Sequence, residues 1–478
     1  MKQKILLAVL IAATLFASCK QEILPPDISG VETAEYVLNI GDKLVLAPNI
    51  TNLKGNSYVW LLDGKEVASG ETDYTFTAEK PGNYILVFKA TNKGGTGEKA
   101  FKILVEKEIS IAFENNDFTI PKLKVLDIKP NISGPERNDY EYEWAIGDSI
   151  ISNERDLEFI SLAYDTTYTV SLTAKAGKQT ATATCKVKVE NKEYNADPNT
   201  LFDYRPAPGC NWAEISIDQM MDEPIHLLAS YDDFLQTYTK RLREKNPELD
   251  LFLDISEWGS YAVFGFDHSV INIPDKDDVL VDMGNPRYSF LISVYVAQDK
   301  NRNGKPDDEW YEIKNTDYGN ETVQDYERTY TLLEASVEPA GDDEVHTKYK
   351  YKWEDNQTEG EKGNGEFIRD EIHSNNWSYE IYPGYFLNKG KIEHYDGWGE
   401  TFTLKGKFFS KRNPAPYGYS REHNVKNAVN GKGEPANLRY FDFIKIQRVG
   451  EVYWQDEEMP MYIGTPISYI MDRNLIDN

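Results

Sequence analysis

The sequence predicts a mainly β protein of three units: two consecutive β-sandwich modules of one pattern, then a larger β-sandwich or jelly-roll-like domain with one or few helices. Three observations predict it. Short runs that alternate apolar and polar residues recur between turn signals along most of the chain, the mark of half-buried strands. Tyr58-x-Trp60, Tyr84 and Ala90 return as Tyr142-x-Trp144, Tyr168 and Ala174, all at an offset of 84, which points to two copies of one module. Aromatic residues make up 13% of the 478 residues, with 31 Tyr and 9 Trp, a bias toward side chains that favour strands and form flat contact surfaces.

Residues 1–18 start with Lys2 and Lys4, continue as an apolar run from Ile5 to Ala17 and end in small residues before Cys19, the layout of an export signal. Phe16-Ala17-Ser18-Cys19 resembles a bacterial lipobox, which implies acylation of Cys19 and a lipid anchor, with 19–28 as the linker behind it. No later apolar segment approaches the roughly 20 residues of a membrane-spanning helix. The 52 Lys+Arg against 79 Asp+Glu leave a net charge of −27, which repels phosphate backbones; nucleic acid is not an expected partner. Besides Cys19 the chain holds Cys185 and Cys210, whose spacing matches no metal cluster. A single bridge or two buried free thiols are both open.

The first module, 29–106, reads as strands KLVLAPNI, SYVWLLDG, YTFTAEKPGNYILVFKATN and KAFKILVE, and 107–190 repeats the pattern. Each copy places a Trp on an early central strand and a Tyr ahead of a later alternating strand. This resembles the immunoglobulin-like sandwich without its cysteine pair. More narrowly, GETDYTFTAEKPGNYILVFKATN and ERDLEFISLAYDTTYTVSLTAKAG resemble the polycystic-kidney-disease (PKD) type of repeat in bacterial surface proteins. The resemblance implies a ligand face or, as the expectation adopted, a spacer that lifts a working domain off the membrane. Residues 191–208, with DPNT and RPAPG, read as a linker.

In 209–478, Ser230 as a cap with Asp233 three residues on, then Phe234, Leu235, Tyr238 and Leu242 at helical spacing, predict one helix. SYAVFGF, YSFLISVYVA, YERTYTLLEAS, ETFTLKGKFF, FDFIKIQRV and PMYIGTPIS predict strands of a sandwich. Between two of them, Asp299, Asn301 and Asn303 stand at positions 1, 3 and 5 of a loop with Gly304 at 6, Lys305 at 7 and the acids Asp307 and Asp308 beyond. A hard divalent ion takes six to eight oxygens, and alternate residues of a tight loop supply them. Structural Ca2+ is the expectation; the alternative is a turn held by its own side-chain hydrogen bonds. Trp310 stands where a bidentate Glu would close the shell.

No GxSxG, HExxH, P-loop or GxGxxG occurs, so no catalytic motif is present, and the expectation is a protein that is not an enzyme. The six histidines are scattered, and Asp267-His268, adjacent in a strand, should point to opposite faces, giving His268 a structural role. Trp377, Tyr382, Tyr385, Tyr395 and Trp398 crowd among glycines and are the candidate ligand platform, suited to a sugar face or a tetrapyrrole-like ring. Packing between sheets is the alternative.

Pro206-Ala207-Pro208-Gly209, Gly265-Phe266-Asp267-His268-Ser269, Gly284-Asn285, the Asp299–Trp310 loop with Tyr311-Glu312, Asn427-Ala428-Val429 and Phe441-Asp442-Phe443-Ile444-Lys445 together resemble a recurring C-terminal domain of PKD-bearing surface lipoproteins of gut Bacteroidota. Some proteins of that architecture are similar to cobalamin-binding lipoproteins. The resemblance implies a lipid-anchored protein of the outer membrane, exposed at the cell surface, that binds a corrinoid and passes it to a TonB-dependent transporter. Glycan capture for polysaccharide use is the alternative; a glycoside hydrolase and a structural adhesin are further ones.

Overall fold

The structure, a computed structural model, describes residues 23–30, 35–208, 231–244, 253–255, 257–283, 292–314, 322–341, 344–356, 364–374, 379–382, 385–388, 391–394, 401–409, 422–450 and 466–476. It divides into two units: Met1–Thr119, Leu126–Phe159 and Thr166–Lys188 form unit 1, and Ile120–Val125, Ile160–Asp165 and Val189–Asn478 form unit 2. The chain is mainly β, with immunoglobulin-like sandwiches.

In the first module of unit 1 a five-stranded sheet runs in the order Glu35–Leu38, Gly95–Val105, Gly82–Asn92, Ser57–Leu62, Lys65–Ser69. A two-stranded sheet, Lys43–Leu46 with Tyr74–Thr77, completes the sandwich. Period-2 alternation sends Leu86, Phe88, Phe101, Ile103 and Val105 inward. They meet Leu46 and Phe76 of the small sheet around fully buried Trp60, whose ring centre lies 4.6 Å from that of Phe88 and 5.5 Å from that of Tyr74. The Tyr84 hydroxyl donates back to the Lys80 carbonyl at 2.9 Å, the hydrogen bond of a tyrosine corner. Glu35–Leu38 pairs in parallel with Lys102–Val105; the other neighbours in this sheet are antiparallel.

The second module repeats the order with Asp117–Pro121, Gln179–Glu190, Thr166–Ala176, Glu141–Ile146 and Ser149–Ser152, and a small sheet of Leu126–Ile128 with Leu157–Phe159. Cys185 takes the place of Phe101 as a buried free thiol, its pKa pushed up to about 11 by burial. The modules are joined by side chains. Gln179 accepts from Ile109 N–H at 3.0 Å and donates to the Asn39 side chain at 2.9 Å and the Lys107 carbonyl at 3.0 Å. Arg137 reaches Glu106 at 3.2 Å and Asp139 at 2.6 Å.

Unit 2 is built on a six-stranded antiparallel sheet in the order Thr200–Arg205, Tyr261–Ile271, Tyr440–Arg448, Ile292–Ala297, Trp310–Ile313, Ala428–Val429. One face is core: Leu201, Ala262, Phe264, Val294, Val296, Ile444 and Ile446 pack with Phe234 and Tyr238 of a helix and with Val279, Val281 and Ile470 of a three-stranded sheet. The helix, Tyr231–Arg243, is the predicted one, with Asp232 and Asp233 in its first turn and Lys240, Arg241 and Arg243 in its last, as the helix dipole favours. Its expected cap, Ser230, lies outside the described residues.

A four-stranded sheet follows: Asn364–Ser374, Glu344–Asp355, Thr322–Gly341, Thr401–Phe409. Its fully buried Arg328 is packed by apolar and aromatic neighbours, 4.1 Å above the centre of the Trp353 ring, and donates to the Tyr326 hydroxyl at 3.0 and 2.9 Å. Tyr326 in turn donates to Asp355 at 2.9 Å. Arg328 is thus linked to the Asp355 carboxylate through the Tyr326 hydroxyl.

Candidate functional site

The second face of the six-stranded sheet should be a solvated row of polar side chains, since the first is core. It is instead a half-buried polar and aromatic cluster. Strand register sets it: Asp203 stands opposite Val263, Val263 opposite Lys445, Lys445 opposite Tyr295 and Tyr295 opposite Glu312, and partners across a sheet share a face. Asp203 accepts from Arg205 Nε at 2.9 Å, from the Tyr231 hydroxyl at 2.7 Å and from the Tyr261 hydroxyl at 2.9 Å. Glu312 accepts from the Ser293 hydroxyl at 2.8 Å and pairs with Lys407 of the four-stranded sheet. The Lys445 ammonium sits 4.6 Å from the centre of the Tyr261 ring and 5.4 Å from that of Tyr295, within cation–π range. Burial pushes its pKa down to about 8, against a smaller pull from Asp203. Burial, then the Asp203 carboxylate, holds the Tyr261 phenol protonated far above its ordinary range.

At the hairpin between Ile292–Ala297 and Trp310–Ile313 lies the Asp299 loop. The Asp299 carboxylate accepts from Asn303 N–H at 3.0 Å and Gly304 N–H at 2.9 Å. Gly304 turns at φ +73°, a left-handed conformation that glycine adopts freely. Asn301 and Asn303 donate to the two Asp307 oxygens at 2.9 and 2.8 Å, which hold that carboxyl below its ordinary pKa, and Asp308 accepts from Lys300 N–H at 2.9 Å. The predicted residues are therefore brought together. Among the described residues no group of three or more His, Cys, Asp or Glu gathers to hold a metal, so acids alone do not make the site. The amide oxygens are also engaged, Asn301 accepting from Asn303 N–H at 3.0 Å and Asn303 from Lys305 N–H at 2.7 Å, so the loop is a turn held by its own side-chain hydrogen bonds. The donor types, carboxylates and amides at alternate positions with a backbone carbonyl at Lys305, are those that a hard divalent ion takes.

His268 corrects one expectation. It does meet Asp267, Nδ1 to Oδ1 at 2.8 Å, while Nε2 meets fully buried Asp472 at 2.9 Å. The alternation fails because the register between Tyr261–Ile271 and Tyr440–Arg448 is broken from Gly265 to Val270, and a bulge re-aims side chains. The expected structural role stands on this geometry: the imidazole ties strand Tyr469–Asp472 to the sheet. Burial opposes its protonation, but hydrogen bonds to Asp267 and Asp472 outweigh that and raise its pKa above 6.5.

Of the candidate ligand platform, Trp377, Tyr395 and Trp398 lie outside the described residues. Tyr382 and Tyr385 face each other across a hairpin of Tyr379–Tyr382 and Tyr385–Asn388, and their side chains lie outside as well. Cys19 and Cys210 also fall outside. Sequence reading missed the Lys445 cluster altogether; Asp203, Tyr261, Tyr295 and Lys445 stand on separate strands, and no local pattern marks them.

Comparison with known proteins bears on the first module. Residues 25–92 match the family described as PKD-like domain. The PKD-like match spans most of the first sandwich, and modules of this kind are typically binding or structural units rather than catalysts. No curated protein matches. Among solved structures, three consecutive immunoglobulin domains of titin, in an E-to-A mutated variant, are similar at 11% identity and a TM-score of 0.29, covering 72% of this chain and 97% of that one. A Dscam structure concerned with isoform specificity is similar at 14% identity and a TM-score of 0.24, covering 34% and 45%. The amphioxus IgVJ-C2 molecule is similar at 13% and 0.23, covering 32% and 99%. The chain thus spans less than half the length of the Dscam structure it matches.

Proposed function

We propose that this chain is a non-catalytic, lipid-anchored binding protein of the outer cell surface, in which the PKD-like stalk of unit 1 carries a ligand-binding unit 2. The observation that carries the reading is the sheet face around Lys445. A carboxylate, a guanidinium, an amine and three tyrosine rings are gathered there at half-buried positions, and few placed polar groups among flat rings are what orient an organic ligand. The ligand we adopt is a corrinoid, handed on to a TonB-dependent transporter, as the resemblance of the 206–447 region implies. The second reading is a glycan; tyrosines beside a carboxylate and two cations suit sugar hydroxyls equally. In both, Ca2+ on the Asp299 loop has a structural role, fixing one end of the sheet. Titration calorimetry of the mature protein with Ca2+, against cyanocobalamin and then a glycan panel, tests the proposal. Cobalamin binding supports the first reading, a glycan response with cobalamin silent replaces it by the second, and silence for both refutes a ligand-binding role.

A further inference from the structure

We infer that the face around Lys445 receives an anionic oxygen group of its ligand, a carboxylate or a phosphate, on the Lys445 ammonium between the rings of Tyr261 and Tyr295. This rests on the binding role proposed above and names what that site selects.

The argument is one of unmatched charge. Both carboxylates of this face are engaged: Asp203 by Arg205, Tyr231 and Tyr261, and Glu312 by Ser293 and Lys407. Lys445 forms no ion pair among the described residues, although its neighbours on both adjoining strands are at hand. A desolvated cation with only ring faces beneath it is incompletely stabilised, and an oxyanion above it removes that cost with a charge-assisted hydrogen bond. Among the described residues of this face the neighbouring charges are Asp203 and Glu312 against Arg205 and Lys407, and Lys445 adds one further positive charge. That charge stands in a chain of net charge −27, whose overall field repels anions; binding there is a property of the site and not of the surface. A bound anion also favours the protonated amine, whose pKa is otherwise near 8, so affinity for an anion falls as pH rises past that value.

The test uses the mature full chain and ligand pairs of which one member lacks the anionic groups: galacturonate oligomers against their methyl esters, and cyanocobalamin against dicyanocobinamide, which lacks the phosphodiester together with its ribose and benzimidazole. Wild type should prefer an anionic member by about tenfold or more. Lys445→Gln should abolish the preference, read as the ratio of the two affinities, and Lys445→Arg should retain it; unchanged thermal midpoints show that the variants are folded. Equal binding of both members by wild type, or a preference that survives in Lys445→Gln, overturns the inference and leaves the binding role standing. Absence of binding to all four refutes the binding role itself. A readout that needs no organic ligand is acylation of lysines followed by mass spectrometry: inorganic phosphate should protect Lys445 but not exposed Lys102, and equal labelling of Lys445 with and without phosphate refutes the inference.

Discussion

Position for position, the two sandwich modules bury the same places: Trp60 answers to Trp144, Leu86 to Val170, Phe88 to Leu172, Ile103 to Val187 and Val105 to Val189, all at 1% exposure or less. On the outer face of the five-stranded sheet they part. Val59, Ile85, Val87 and Leu104 of the first module stand where the second has Glu143, Thr169, Ser171 and Lys188. Ile85 and Leu104 are 51% and 39% exposed, and Val37 beside Leu104 on the parallel strand is 59% exposed. The inner face is what the fold requires, because a sandwich without it has no core. The outer face is free to vary, and the second module shows that this fold does not require apolar residues there.

The largest test of this comparison removes the central rings. Trp60→Ala and Trp144→Ala should each destabilise their own module by about 3–5 kcal/mol, read from denaturant midpoints of single variants; a cost under half of that at either place breaks the equivalence. The milder Trp→Phe pair separates them. Trp144 Nε1 donates to the Glu154 carbonyl at 3.0 Å, whereas buried Trp60 Nε1 has no partner among the described residues. Trp144→Phe should therefore cost about 1 kcal/mol more than Trp60→Phe, and equal costs contradict the asymmetry.

A second contrast sets unit 1 against unit 2. All six histidines fall in unit 2, and between about pH 5 and 8 histidine is the side chain that ordinarily changes charge. His268, with its pKa raised above 6.5, contributes stability that is present below 6.5 and lost as pH rises through the raised value. His423, lowered to about 4 by burial, does the reverse: its contribution is present above 6.5 and lost as pH falls toward 4. Calorimetric unfolding should show the unit 2 transition peaking near neutrality and falling on both sides, with the unit 1 transition flat. His268→Gln should flatten the alkaline limb, and an alkaline limb that persists removes His268 as its cause.

The smallest expected effect is on the outer face. Ile85→Thr and Leu104→Lys, which copy the second module, should change the stability of the first by less than about 0.5 kcal/mol. A loss well beyond that in urea unfolding would mean that these residues do belong to a core.

The duplicated pattern, the helix at 231–243 and the Asp299 loop were legible because each is encoded over a short span: an offset, a helical spacing, an alternation within one turn. The Lys445 cluster was not. Asp203, Tyr261, Tyr295 and Lys445 come from four separate strands whose order in the sheet does not follow their order in the chain, and each alone reads as an outward polar position. Asp267 and His268 misled for a different reason, since alternation assumes an unbroken ladder and this one is bulged. Glu344–Asp355 alternates Lys with Tyr and Trp, a strand pattern that the sequence reading passed over, while Asn364–Ser374, with Phe367 beside Ile368, does not alternate cleanly.

The parallel pairing of Glu35–Leu38 with Lys102–Val105 gives the first module a mechanical character. These strands, the earliest and the last of the five-stranded sheet in chain order, lie side by side and run the same way, so tension applied between them slides one along the other instead of peeling them apart. Their hydrogen bonds then share the load and must yield together, where an antiparallel end pair would open one bond at a time. A module joined in this way transmits a pull along its length before it unfolds.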